Sequence, residues 1–239
     1  NTLPIEMVQA LRLIARFPVI VAHAFAAKKH YFDRDSLYLH RSQPELSVAE
    51  NFLYSVRHNN QFTEEEAHLL DLCLVLHMEH GGGNNSAFAC RVLSSSGTDI
   101  YSAIAAAVGS LKGPKHGGAN TRVMAMFDEI EANVKDWKDD GEVSDYLTKI
   151  LKKEAGDGSG LIYGMGHAIY TLSDPRAVIL KRFAKKMAAD KGMLDEFELF
   201  ERVERLTPGL FHAVTGQDKA MCANVDMSSG LVYKMTDIP

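Results

Sequence analysis

Apolar side chains recur at helical spacing along most of the chain. In "TRVMAMFDEIEANVKDW" they stand four and three residues apart in turn, at Val123, Phe127, Ile130, Val134 and Trp137. This spacing is the stripe of an amphipathic helix. The alternation of apolar and polar residues that marks a half-buried strand never continues for more than a few positions. The pattern therefore predicts an all-α protein.

Capping residues mark the start of three of these helices. The pairs Ser47–Glu50 and Thr63–Glu66 have the spacing of a capping box, with a glutamate three positions after a hydroxyl residue. In "SDPRAVILKRFAKKMAADKG", Asp174 stands before a proline, and Gly192 stands where the helix should stop. We therefore predict one helix after each of these three caps.

The segment 94–111 differs from the rest because serine, alanine and glycine dominate it. We expect one helix there, in which Gly97 and Gly109 would each cost about 1 kcal/mol relative to alanine at an exposed position. Small side chains let another helix approach closely, so we expect this helix to be packed deeply or to lie at a subunit interface. Glycines then follow, and we expect a domain boundary with a hinge near residue 117. The segment "EAGDGSG" at 154–160 is a second flexible break.

Composition and charge narrow the class of protein. The net charge of −5 over 239 residues argues against general nucleic-acid binding and against polybasic membrane binding. Three scattered cysteines suggest reduced thiols and a cytoplasmic protein, although a mitochondrial matrix would give the same composition. We expect no run long and apolar enough to span a bilayer. The chain starts with asparagine and shows no secretory signal, so we expect a fragment or a processed form.

Four short segments join a chemically capable side chain to glycines or turn residues. They are "HMEHGGGNNS" with His77 and His80, "GPKHGGAN" with His116, "YGMGHAIYTLSDPR" with His167 and Arg176, and "NVDMSSG" with Asp226. Each has an ordinary interpretation when it is taken alone. The two histidines of the first segment share a helical face and could bind a metal, but no third ligand is specified. The aspartate of the last segment could be a helix cap.

Arg176 has two interpretations that the sequence leaves open. A cation in the first turn of a helix is disfavoured by the helix dipole, so the guanidinium could pair with Asp174 or another acid. It could also bind a substrate carboxylate together with the N–H groups of the helix terminus.

Taken together, the segments resemble the citrate synthase family in their residues and in their order along the chain. The resemblance is carried by "ALRLIARFP", "AENFLY", "LHMEHGGGNNSAF", "LKGPKHGGAN", "GMGHAIYTLSDPRAVILK" and "NVDMSSGLVYKMTDIP", and it runs from about residue 8 to the last residue. It implies that His116, His167 and Asp226 are catalytic. It also implies that oxaloacetate is bound by His80 and Arg176, and we include Asn84 from the same glycine–asparagine run.

The resemblance implies an acyltransferase of the tricarboxylic acid cycle. Such an enzyme condenses acetyl-CoA with oxaloacetate and hydrolyses citryl-CoA to citrate and CoA. Asp226 would take a proton from the thioester methyl group, while His116 stabilises the enolate oxygen as a neutral donor whose other ring nitrogen is held by a neighbour. His167 would polarise the ketone of oxaloacetate. We expect no metal and no cofactor, because histidines and arginines stabilise the charge.

The family's architecture implies an organisation for the chain. Residues 1–117 would be the N-terminal part of a large helical domain, 118–236 a small helical domain, and 237–239 the return to the large one. We expect a homodimer with a contribution from the segment 94–111, and a bacterial cytoplasmic location. Because family members continue beyond the last residue, we expect a chain truncated at both ends, with impaired activity.

Two alternatives stay open at this point. A 2-methylcitrate synthase would use propionyl-CoA, and one additional methylene changes binding by only about 1–3 kcal/mol. A non-catalytic helical module for binding or assembly could also use this fold.

Overall fold

The structure, a computed structural model, describes residues 3–78, 81–113, 116–166, 170–218 and 220–238. These residues form ten α-helices, and within them the one β feature is an isolated antiparallel bridge between Met165 and Ala223. The all-α prediction is confirmed. The helices are α1 (Leu3–Phe32), α2 (Val48–Val56), α3 (Glu64–His77), α4 (Asn85–Ser95), α5 (Ile100–Leu111), α6 (Ala119–Asn133), α7 (Asp140–Leu151), α8 (Pro175–Asp190), α9 (Leu194–Thr215) and α10 (Val225–Met235).

The chain divides into two compact units, Asn1–Gly117 and Gly118–Pro239, which we call the first and the second unit. The division lies where a boundary was expected from the glycine cluster. The assignment of the two units to the family's large and small domains, and the return of 237–239 to the large domain, stay predictions.

The first unit contains α1 to α5. Helix α1 packs on α2, α2 packs on α3, and α4 packs on α5. The capping boxes predicted at the starts of α2 and α3 are both present, each with reciprocal side-chain and backbone hydrogen bonds. Leu53, Leu69 and Leu70 are buried between these helices.

The second unit is built around α10, which packs against α6, α8 and α9. Met227, Leu231 and Met235 stand four residues apart on α10 and are each at most 2% exposed. Beside them the rings of Phe127 and Phe200 stack face to face, with centroids 3.4 Å apart. The predicted cap of α8 is confirmed, because the side chain of its N-cap residue accepts from a backbone N–H and a proline occupies the first turn.

Two predicted helices differ from the observed ones. The segment 94–111 is not one helix: α4 ends at Ser95, Gly97 takes a φ of +78°, and Asp99 caps the start of α5. The glycine therefore makes a turn, where its freedom at positive φ is useful. The helix with the stripe at 123–137 ends at Asn133, so the last two apolar residues of the stripe lie beyond it.

Helices α5 and α1 also differ from what the sequence predicted. Helix α5 is not deeply packed, and the bounds of α1 were not predicted. In α5 only Ala103 is buried. Helix α1 has 30 residues and is long and apolar enough to cross a membrane by length and composition, so the expectation of no such run was wrong. Of its most apolar stretch of 18 residues, only 6% is buried by the rest of the chain.

Candidate active site

The ring of His116 is held by the start of α4. The backbone N–H of Ser86 donates to Nε2 of His116 across 3.1 Å. Ser86 is the second residue of α4, where a helix leaves its N–H groups without a partner in the helix. A ring nitrogen accepts a hydrogen bond only through a lone pair, so Nε2 carries no proton and the ring is neutral. The proton of a neutral ring is then on Nδ1, which becomes a donor.

Asn84 shapes the helix start that supplies this N–H. Its Oδ1 caps α4 by accepting from the N–H of Ala87 across 2.9 Å and from Oγ of Ser86 across 3.0 Å. Its Nδ2 donates to the carbonyl of Gly81 across 3.2 Å. These contacts place Asn84 next to the residue that holds His116. Its binding of substrate stays a prediction.

Gly117, directly after His116, has a steric role. A Cβ at Gly117 would overlap the carbonyl oxygen of Leu111, so the backbone could not pass the end of α5 with any other residue there. The N–H of His116 donates to the carbonyl of Gly113 across 3.0 Å. Nδ2 of Asn85 also donates to Oγ of Ser110 across 2.8 Å and ties the start of α4 to the end of α5. The backbone at His116 is therefore fixed beside the N–H of Ser86.

In the second unit, Arg176 is paired with the residue that caps its helix. Its Nη2 lies 2.8 Å from Oδ2 of Asp174, and its Nε donates to Oδ1 of the same carboxylate across 3.1 Å. Asp174 is fully buried, whereas the side chain of Arg176 is 19% exposed. The sequence left this pairing open as one of two interpretations, and it is present.

The carboxylate of Asp174 and, to a smaller extent, that of Asp226 raise the pKa of Arg176, and burial opposes them. Asp226 is half-buried in the first turn of α10, where the helix dipole favours a negative charge. The helix cap is not Asp226 but Asn224, whose side chain accepts from the N–H of Asp226. Asp226 lies within electrostatic range of Arg176.

His80 and His167 lie outside the described residues. Of the predicted site residues, Asn84 and His116 both contact Ser86 in the first unit, and Arg176 and Asp226 lie within electrostatic range of each other in the second. The role of Ser86 was not predictable from the sequence, because its contribution is a backbone N–H that any non-proline residue would supply. The N-cap pattern at Asn84 was the available signal.

No group of three or more His, Cys, Asp or Glu side chains that could hold a metal occurs in the described ranges. His77, one member of the histidine pair considered for a metal, has Nδ1 within 2.7 Å of the carbonyl of Cys73 in its own helix. The expectation of a metal-free and cofactor-free site stays a prediction.

Comparison with known proteins identifies relatives along the whole chain. Residues 3–239 match the family model of the citrate synthase C-terminal domain. The citrate synthase of Acidithiobacillus ferridurans is 39% identical over 98% of this chain and 54% of its own length. The 2-methylcitrate synthase of Shewanella oneidensis is 31% identical over 95% of this chain and 53% of its own length.

A solved structure gives the same fold. The citrate synthase of Thermoplasma acidophilum, in a ternary complex with carboxymethyl coenzyme A and oxaloacetate, superposes with a TM-score of 0.78 at 27% identity. The superposition covers all of this chain and 56% of that one. The chain spans about half the length of the curated relatives that it matches.

Proposed function

Because this chain belongs to the citrate synthase family, we propose that it condenses acetyl-CoA with oxaloacetate and hydrolyses the citryl-CoA formed to citrate and CoA. The observation that carries the proposal is the donation from the N–H of Ser86 to Nε2 of His116. It leaves Nδ1–H as a neutral donor. A donor of this kind can stabilise an enolate oxygen by a hydrogen bond while it keeps its own proton.

Asp226 is the proposed base. A thioester methyl group is a very weak carbon acid, so a carboxylate removes its proton only if charge on the carbonyl oxygen is stabilised as it develops. In the proposed step, Asp226 takes the methyl proton of acetyl-CoA while the oxygen accepts a hydrogen bond from His116. The resulting enolate carbon attacks the ketone carbon of oxaloacetate, and the ketone oxygen takes a proton from His167 to become the hydroxyl of citryl-CoA.

Arg176 is proposed to bind a carboxylate of oxaloacetate. Its planar guanidinium has five N–H donors and suits a carboxylate, and the buried carboxylate of Asp174 fixes its orientation. By resemblance, His80 binds the same substrate and His167 donates to the ketone oxygen. Water then cleaves the thioester, which releases citrate and CoA.

The test is the release of CoA thiol from acetyl-CoA with oxaloacetate, measured on this chain and on any longer natural form of it. Replacing the base, Asp226→Ala, should lower kcat by about 10²–10⁴-fold, the usual contribution of a general base. The matched control is Asp145→Ala, which removes an exposed carboxylate from α7 in the same unit.

Equal CoA release by the Asp226→Ala and unaltered proteins would contradict the mechanism. If neither this chain nor a longer form turns over an acyl-CoA, the proposal of a citrate synthase is wrong and a non-catalytic helical module takes its place.

A second candidate activity is that of a 2-methylcitrate synthase. It is favoured by the identity of 31% to the Shewanella oneidensis enzyme, which is in the range of the citrate synthase relatives. The two activities differ by one methylene of the acyl group. The ratio of kcat/KM for acetyl-CoA and propionyl-CoA decides between them, and a ratio above one supports citrate synthase.

We also propose that the protein is a cytoplasmic homodimer. An apolar groove of about 520 Å³ lies between α1 and α5 in the first unit, and it is lined by Phe17, Ile20, Val21, Tyr101, Ile104 and Val108 among others. Exposed apolar surface of this kind often marks a protein interface. The variant Val108→Asp should shift the molar mass measured by light scattering from dimer to monomer, and an unchanged mass would place the interface elsewhere.

A further inference from the structure

The side chain of Asn224 makes two different hydrogen bonds to the backbone. Its Oδ1 accepts from the N–H of Asp226 across 3.0 Å and caps α10. Its Nδ2 donates to the carbonyl oxygen of Gly166 across 3.1 Å. In the sequence, Gly166 immediately precedes His167. One planar amide thus links the backbone before one predicted catalytic residue to the backbone N–H of another.

We propose that Asn224 is a positioning residue that keeps the backbone before His167 in register with Asp226. The inference rests on the proposed function, because both of these catalytic roles belong to it. Asn224 itself is not expected to touch the substrate.

Backbone hydrogen bonds extend the link on both sides of Asn224. The N–H of Asn224 donates to the carbonyl of Gly164 across 2.9 Å, and the N–H of Gly166 donates to the carbonyl of Cys222 across 2.8 Å. These bonds form the isolated antiparallel bridge of the second unit. A pair this short would be only marginally stable on its own, so a side-chain bond within it matters for register.

Close packing presses this bridge against the first turn of α10. Gly164 has a φ of +82°, and a Cβ there would lie 3.1 Å from Cα and Cβ of Met227 and 3.2 Å from Cγ2 of Val123. There is no room for a side chain between the glycine and α10. The segment therefore lies directly on α10, and the bond from Asn224 to Gly166 opposes a displacement of the segment along that helix.

The physical consequence concerns geometry rather than charge. A displacement of about 1 Å between reacting groups can lower a rate by about 10²-fold even when binding is intact. Loss of the link should therefore lower kcat and leave KM for both substrates nearly unchanged.

Two variants separate positioning from stability. Asn224→Asp keeps the shape and the capping oxygen, because aspartate caps helices as well as asparagine does, but it removes the donor to Gly166. Asn224→Ser also caps, is shorter and adds no charge near Asp226. The matched controls are Asn133→Asp and Asn133→Ser, since Nδ2 of Asn133 also donates to a backbone carbonyl, that of Glu129 at 2.8 Å on the exposed end of α6.

The first measurement is amide hydrogen exchange, which does not depend on activity. In both Asn224 variants the amide of Gly166, which donates to Cys222 within the bridge, should exchange at least about tenfold faster because the bridge opens more often. The amide of Asp226, which remains capped, should stay within about threefold. The Asn133 variants should leave both amides unchanged. Unchanged exchange at Gly166 would overturn the proposal.

The second measurement is the kinetics of CoA release. Both Asn224 variants should lower kcat by about ten- to a hundredfold, with KM altered by less than about threefold. A normal kcat, or an effect confined to the charged Asn224→Asp variant, would overturn the positioning role. If the unaltered protein releases no CoA, the proposed function is overturned together with the catalytic purpose of the link, and exchange at Gly166 then reports on the link alone.

Discussion

The two units hold their candidate catalytic and binding residues by different means. In the first unit a neutral ring, that of His116, is oriented by a backbone N–H at a helix start. In the second unit, charged side chains dominate: Arg176 is paired with the buried Asp174 and lies in electrostatic range of Asp226. The difference matches the chemistry proposed for each unit. An enolate oxygen needs a hydrogen-bond donor, whereas binding a substrate carboxylate and removing a methyl proton need ionised groups.

The two units also differ in how completely they bury their apolar side chains. The second unit surrounds α10 with buried side chains, so its charged groups stand on a closed core. The first unit leaves large apolar residues of α1 exposed, such as Leu11, Ile14 and Ile20. In this unit, His116 is held by local contacts with α4 and α5 rather than by a closed core.

In the first unit, the largest loss of kcat is expected from removing the neutral donor. His116→Ala should lower kcat by about 10²–10³-fold, the cost of losing one hydrogen-bond donor to a developing oxyanion. The measurement is CoA release at saturating substrate. The control His30→Ala removes an exposed histidine of α1 in the same unit. If His116→Ala retains most of its kcat, the first unit does not supply the donor.

An intermediate effect is expected when the geometry of the cation is changed and its charge is kept. Arg176→Lys should raise KM for oxaloacetate by about ten- to a hundredfold, because a lysine cannot bind Asp174 and a substrate carboxylate with the same fork. Steady-state kinetics with varied oxaloacetate measure this value. Arg182→Lys makes the same replacement at an exposed position of α8 and should leave KM unchanged. A normal KM in Arg176→Lys would remove Arg176 from the oxaloacetate site.

The smallest effect concerns an exposed carboxylate of the second unit. Hydrogen bonds from Ser159 and Tyr163 lower the pKa of Asp157 to about 2. A lowered pKa in the folded state adds stability above the ordinary value of 3.8, and this stability is lost as the pH falls through about 2. The melting temperature of the unaltered protein should therefore exceed that of Asp157→Asn at pH 6, with a difference that shrinks between pH 4 and pH 2.

Since Asp157 is exposed, solvent screening keeps its contribution below about 1 kcal/mol. A difference in melting temperature that grows on acidification would have the wrong sign for this account.

Local sequence signals predicted the parts of the fold that depend on local chemistry. The capping boxes at Ser47 and Thr63 and the cap at Asp174 were predictable because each acts within three residues. The turn at Gly97 was missed because small residues on both sides of it fit a helix equally well. The end of α6 at Asn133 was missed because the apolar stripe continues into the loop, where Val134 is still buried.

The candidate site divides in the same way. Residue types in short motifs indicated His116, Arg176 and Asp226, and the resemblance supplied their roles. The contacts of Ser86 and Asn224 were not predictable, because they join positions 30 and 58 residues apart in the sequence. One of them uses only a backbone N–H, which leaves no mark on the residue type.

The proposed stabilisation of the enolate depends on His116 being a neutral ring with its proton on Nδ1. The most direct measurement is nitrogen NMR of the protein with ¹⁵N-labelled histidine rings, with the signals of His116 assigned by their absence in His116→Ala. At neutral pH the account predicts a protonated Nδ1 and an unprotonated Nε2, as the bond from Ser86 requires. A proton on Nε2, or protons on both nitrogens, would contradict it.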